Sequence, residues 1–145
     1  GSAAQSAVGY SATYSGVDGL SVSYGAGDGT NDTTDATAMK ASYAYGPVTV
    51  AYSNYEYDAS GTSNDNETTS FKLSYTVSDE ISISYGEETI EEGTSLDVET
   101  KAISASYTTG GMTITAVAAE GSNISYTTAA AEDVDYWGLT AAFAF

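Results

Sequence analysis

The chain contains no cysteine, no histidine and a single proline. Without cysteine it has no disulfide framework and no thiolate metal site. Without histidine it cannot assemble the usual Ser–His or Cys–His nucleophile, so no enzyme is expected. Basic residues are almost as scarce, with 3 Lys+Arg against 20 Asp+Glu and a net charge of −17. That balance speaks against nucleic acid as a partner, because phosphate binding needs clustered Lys and Arg. Large aliphatic residues are thin, and Ala and Tyr supply much of the 41% hydrophobic content. A closed soluble core is normally filled by Leu, Ile, Val and Phe. No apolar run reaches the roughly 18 residues of a membrane helix, but barrel strands cross with only about 9–11 residues each. The chain opens Gly1-Ser2-Ala3-Ala4-Gln5, without an initiator Met or a signal peptide, as a processed or partial chain would.

What the chain does have is alternation with period two, nearly throughout. It predicts nine strands: Ala7–Ser15, Leu20–Gly27, Thr37–Tyr45, Val48–Glu56, Thr68–Val77, Ile81–Thr89, Val98–Thr108, Met112–Glu120 and Val134–Phe145. Four connections read as tight turns, at Gly16–Gly19, Gly46-Pro47, Ser78–Glu80 and Thr109–Gly111. Four others, at Asp28–Ala36, Tyr57–Glu67, Ile90–Asp97 and Gly121–Asp133, read as long acidic loops. Strict alternation of short and long connections is expected of an all-β, antiparallel up-and-down transmembrane barrel, with turns on one side of the membrane and loops on the other. An internal repeat agrees with it. Tyr14, Tyr43, Tyr75 and Tyr107 close similar segments and are spaced by 29, 32 and 32 residues, so one hairpin plus one loop is the repeating unit.

Successive side chains of a strand point to opposite faces. One phase collects Val, Ile, Leu, Met and Tyr. The other collects Ser11, Thr13, Lys40, Ser42, Thr49, Lys72, Ser74, Ser104, Ser106, Thr113 and Thr115. In a soluble sheet the apolar phase would be core; in a membrane barrel it faces lipid and the hydroxyl phase lines water. Tyr14, Tyr43, Tyr75 and Tyr107 stand beside the short turns, as an interfacial aromatic girdle does, with Trp137 and Phe143 on the same outward phase. Of the 20 carboxylates, Asp18, Asp79 and Glu80 sit at short turns, and the other 17 lie in or beside the long loops. Lys101 is an exception: it shares the apolar phase near a loop end, where it reaches lipid phosphate by snorkelling or marks a register shift.

Two groups stand out on the polar side. Lys40 and Lys72 occupy equivalent repeat positions, and either form a basic wall shaping the field that solutes cross or merely balance carboxylates. Asp28 and Asp32, and the cluster Glu87, Glu88, Glu91 and Glu92, offer the hard oxygen donors that suit calcium; a solvated acidic loop is the plainer reading.

The last strand, Val134-Asp135-Tyr136-Trp137-Gly138-Leu139-Thr140-Ala141-Ala142-Phe143-Ala144-Phe145, places Trp137, Leu139, Ala141, Phe143 and Phe145 on one face and ends on an aromatic residue. It resembles the C-terminal signature strand of Gram-negative outer-membrane proteins, and Phe145 would then be a signal read by the barrel assembly machinery. The whole of 1–145, a single barrel segment, looks like the C-terminal half of a general bacterial porin. The resemblance implies a sixteen-stranded homotrimeric barrel in the outer membrane, bathed in its lipids, with the acidic loops extracellular, passing small hydrophilic solutes and ions without a cofactor. That family's inward-folded constriction loop lies in its N-terminal half, which is not found in this sequence, so pore size and selectivity do not carry over from the resemblance. Nine strands starting outside do not close a barrel with both ends in the periplasm, so further strands upstream, or a miscounted strand, are expected. The competing class is a secreted or surface-anchored β-rich adhesin, which would dissolve in plain buffer where a porin segment needs detergent or its neighbouring strands.

Overall fold

The structure is a computed structural model that describes residues 8–28, 34–59, 65–125 and 132–144. They form β1 (Val8–Tyr14), β2 (Leu20–Asp28), β3 (Asp35–Tyr45), β4 (Val48–Asp58), β5 (Asn66–Thr76), β6 (Ile81–Glu92), β7 (Val98–Thr109), β8 (Met112–Ser122) and β9 (Val134–Phe143). All nine belong to one sheet in sequence order, and every neighbouring pair is antiparallel. No helix occurs among the described residues. Because direction alternates, β1 and β9 run the same way. The sheet is open between them, and closing it with antiparallel neighbours throughout takes an odd number of further strands.

The tight turns follow from local chemistry. Gly110 and Gly111 have φ of 53° and 81°, and two successive positive values are what a two-residue type I′ hairpin demands. Gly46 takes φ 55° ahead of Pro47, whose ring fixes a negative φ, which is the order of a II′ turn. Consecutive hairpins are then stapled by one repeated bond. The carbonyls of Gly19, Pro47, Glu80 and Gly111 accept from the amides of Ala44, Thr76, Thr108 and Ala144, each at 2.8 Å.

At the other end the strands run further than expected. β5 begins at Asn66 rather than Thr68, β6 continues to Glu92 rather than Thr89, and β8 reaches Ser122 rather than Glu120. The acidic side chains mimic loop composition, but the backbone still finds a ladder partner: Glu67 lies opposite Glu91, and Asn66 opposite Glu92. The expected strict alternation of loop lengths therefore fails at one place. Residues 93–97 join β6 to β7, a connection no longer than residues 15–19 between β1 and β2.

Nothing resembling a soluble core exists among the described residues. Val98, 4% exposed, is the one buried hydrophobic residue among those described. Trp137 is 81% exposed, Leu139 70% and Phe143 60%, all on one face of the edge strand β9.

Candidate functional site

The ladder register assigns every side chain to a face, since residues directly opposite share one. Starting from Tyr14, the partners run Val22, Ala41, Tyr52, Phe71, Glu87, Lys101, Glu120 and Asp135 across the nine strands. This row belongs to the apolar face. Two rows toward the turns on that face follow: Leu20, Tyr43, Val50, Leu73, Tyr85, Ile103, Ala118 and Trp137, then Tyr45, Val48, Tyr75, Ile83, Ala105, Ala116 and Leu139. Tyr43 and Tyr45 stack along their strand at 6.4 Å between ring centroids.

Measured against the row of Tyr14, Tyr43 lies two residues further toward the turns, Tyr75 four, Tyr107 six and Phe143 eight. The offset grows by two residues, about 6.6 Å, for every two strands, about 9.6 Å. These five aromatics therefore form one straight line inclined about 35° to the ladder rows, the angle by which barrel strands tilt from the barrel axis. Eight residues before each of the last four stand Asp35, Glu67, Glu99 and Asp135, on the same face. They form a second, carboxylate line parallel to the aromatic one, about 22 Å up an axis so tilted. Neither the growing offset nor this acidic line is visible in one strand alone; the repeat spacing of about 32 residues was the signal for both. Trp137 lies six residues before Phe143, so it belongs near the carboxylate line and not with the five aromatics.

The opposite face carries the hydroxyls. Ser11, Thr13, Lys40, Ser42, Thr49, Lys72, Ser74, Ser104, Ser106, Thr113 and Thr115 all fall on it. Several join adjacent strands: Ser84 and Ser104 at 2.8 Å, Ser106 and Thr115 at 2.9 Å, Thr108 and Thr113 at 3.0 Å. Such cross-strand pairs satisfy the hydroxyls and leave the wall small and uncharged where they occur. Lys40 and Lys72 stand on β3 and β5, each three residues before its line tyrosine and so at one height. Two strands and two residues separate their Cα atoms, about 12 Å. Neither forms an ion pair among the described residues. They border one groove of ≈ 420 Å³ with Ser21, Ser23, Ser42, Ser53 and Ser70.

The acidic candidates are not gathered into one site. Because β6 extends to Glu92, Glu87 and Glu91 point to the apolar face, and Glu88 and Glu92 to the hydroxyl face. Glu88 accepts from Ser70 Oγ at 2.9 Å, and Glu87 from the Tyr85 hydroxyl at 2.9 Å. Asp28 lies opposite Asp35, and Glu67 between Glu56 and Glu91. No group of three or more such residues with metal-holding geometry occurs among the described residues. Asp32 and Phe145 lie outside the described residues.

Reading by side-chain type missed the larger residues on the hydroxyl face. Tyr55, Ile90 and Val98 share one of its rows with Ser11, and Tyr136 lies along it over Gly138, which has no side chain to obstruct the ring. Near Val98 the chain beyond β8 folds back. Asn123, at φ 56°, donates from Nδ2 to the carbonyl of Asp97 at 3.0 Å, and Ile124 packs where Gly121 has no β-carbon. Counting parity through Tyr52 would have placed Tyr55; the fold-back depends on long-range contacts that a strand pattern does not carry.

A family profile described as Gram-negative porin matches residues 1–108. A solved porin structure, refined at 1.8 Å, superposes with a TM-score of 0.67 at 20% identity, over 92% of this chain and 50% of that one. At that identity the likeness establishes the fold, and the chain spans about half the length of the porin it matches. Curated proteins give no match. With nine meandering strands, one face apolar and one hydroxyl-lined, and the profile covering most of its length, the chain belongs to the Gram-negative porin family.

Proposed function

We propose that this sheet is part of the wall of a water-filled outer-membrane channel that passes small hydrophilic solutes and ions by diffusion, with no enzymatic step. The observation that carries the reading is the pair of parallel lines on the apolar face. An aromatic line and a carboxylate line about 22 Å apart match the height of a barrel's lipid-facing band, about 25 Å. On this reading Tyr14, Tyr43, Tyr75, Tyr107 and Phe143 mark the periplasmic interface, and Trp137 the outer one. The hydroxyl face lines water, and the long acidic connections are extracellular. Phe145 serves the barrel assembly machinery, and the full-length protein is a homotrimer. Calcium at the opposed carboxylates of the outer rim belongs to the same proposal, since like charges facing each other across strands are relieved by a cation.

The carboxylates make the outer mouth negative, and Lys40 and Lys72 oppose them locally at mid-height. The channel therefore has a weak cation preference that grows at low salt, where screening extends beyond about 10 Å. The test is single-channel recording of the full-length protein in a planar bilayer under a salt gradient. Stepwise conductance with a reversal potential on the cation side supports the reading. Absence of any conductance from correctly folded protein overturns it.

A further inference from the structure

Carboxylates abound in this chain, yet within strands β1–β5 none stands on the hydroxyl face. Asp28, Asp35, Glu56, Asp58 and Glu67 all take the other phase of their strands. Lys40 and Lys72 are therefore the only charges on that five-strand wall. Glu88, on β6 opposite Ser70, accepts from Ser70 Oγ at 2.9 Å and pairs with neither lysine among the described residues. The two lysines stand at opposite corners of a six-residue patch. Lys40, Ser53 and Ser70 form one ladder row across β3, β4 and β5, and Ser42, Ala51 and Lys72 form the next row toward the turns. Ala51, whose side chain ends at the β-carbon, leaves a dent between the lysines. Their Cα atoms are about 12 Å apart, and each four-carbon stem spans about half of that, so both ammoniums reach one point over Ser53 and Ala51. On the far side of Lys40 the groove, ≈ 420 Å³ in all, continues past Ser42 to Ser21 and Ser23 on β2. The hydroxyls of Ser42 and Ser53 form no side-chain hydrogen bond among the described residues, unlike that of Ser70.

We propose that this patch binds a small phosphomonoester with a hydroxylated body. Lys40, Lys72 and the Ser53 hydroxyl donate to the three terminal oxygens of the phosphate. The body lies over Ser42, Ser21 and Ser23, whose hydroxyls exchange hydrogen bonds with its own. A phosphomonoester carries nearly two charges and three acceptor oxygens on one centre, which is what two converging ammoniums and one hydroxyl satisfy. Two like charges meet at one point only with that much negative charge between them. Chloride brings one charge and no direction. A dicarboxylate separates its charges, draws the lysines apart and leaves Ser53 unused. The proposal rests on the hydroxyl face lining the channel, and it names the class of solute that this wall holds. It gives such an anion a foothold at mid-height, behind a mouth whose carboxylates repel it.

The test records the full-length protein in a planar bilayer in about 0.1 M potassium chloride, where the screening length is about 10 Å. The pH is held near about 8, where the monoester is a dianion. Glycerol 3-phosphate, succinate or glycerol is added to both sides and the open-channel current is followed. Glycerol 3-phosphate should lower the current along a saturating curve, half-effective at a concentration about three- to fivefold below that of succinate, and glycerol should give no saturating effect. Lys40→Gln and Lys72→Gln should each raise the half-effective concentration about three- to fivefold, the scale of one exposed ion pair. The two together should abolish saturation. Lys101→Gln, on the other face, should leave the curve in place. Conductance in potassium chloride alone reports that each variant is folded. A current that falls without saturating, an equal half-effect for succinate, or an unchanged curve in the double variant overturns the site while leaving the channel standing. Absence of conductance from correctly folded protein overturns the channel reading itself.

Discussion

The two faces of the sheet share one set of backbone hydrogen bonds and differ in everything else. On one, Tyr, Ile, Leu and Trp stand exposed in inclined rows, with charge confined to the far end. On the other, hydroxyls pair across strands and two lysines at mid-height form no ion pair among the described residues. A strand whose surroundings were the same on both sides would have no reason to separate its residues so cleanly. The separation is what different surroundings on the two faces would select, because the backbone hydrogen bonds are the same whichever side chains stand on either face.

The sharpest way to break this contrast is to put one charge on each side of one strand. Ile103→Arg should cost about 2–4 kcal/mol of folding stability in lipid, because it lies within the apolar band. Ser104→Arg, one residue further along β7, should leave stability within about 1 kcal/mol and alter conductance instead. Urea titration of folding into vesicles, paired with single-channel recording, reads both. Equal destabilisation by the two would mean that both faces are buried in protein.

Charge reversal on the hydroxyl face sharpens the comparison from the other side. Lys40→Glu with Lys72→Glu should raise the cation-over-anion permeability ratio roughly two- to threefold at low salt, with little change near 1 M, where the screening length is about 3 Å. Reversal potentials at two salt concentrations measure this. An unchanged ratio would place the lysines off the conduction path.

Smaller effects test the features that hold the faces in register. Gly111→Val forces a branched side chain to φ 81°, with its β-carbon 3.1 Å from the carbonyl of Ala144, and should cost about 1–2 kcal/mol. Ser84→Ala removes one partner of the 2.8 Å contact with Ser104, and should cost under about 1 kcal/mol because water can replace it. Urea midpoints rank the two, and a larger loss for Ser84→Ala would mean that the hydroxyl face is dry.

The sequence by itself determined the nine strands, their meander order, the tight turns and the two alternating phases of side chains within each strand. All of these are local. Alternation is a property of the pleat, and a Gly-Gly or Gly-Pro pair selects its turn without help from the rest of the chain. Only the tertiary structure decided which residues share a height. The straight line from Tyr14 to Phe143 and the carboxylate line from Asp35 to Asp135 arise from register accumulated over eight strand pairs, and an error of one residue at any pair would destroy them. The division of Glu87, Glu88, Glu91 and Glu92 between the faces was likewise hidden by composition. Four glutamates in six residues look like a loop until a neighbouring strand offers their backbone a ladder to join.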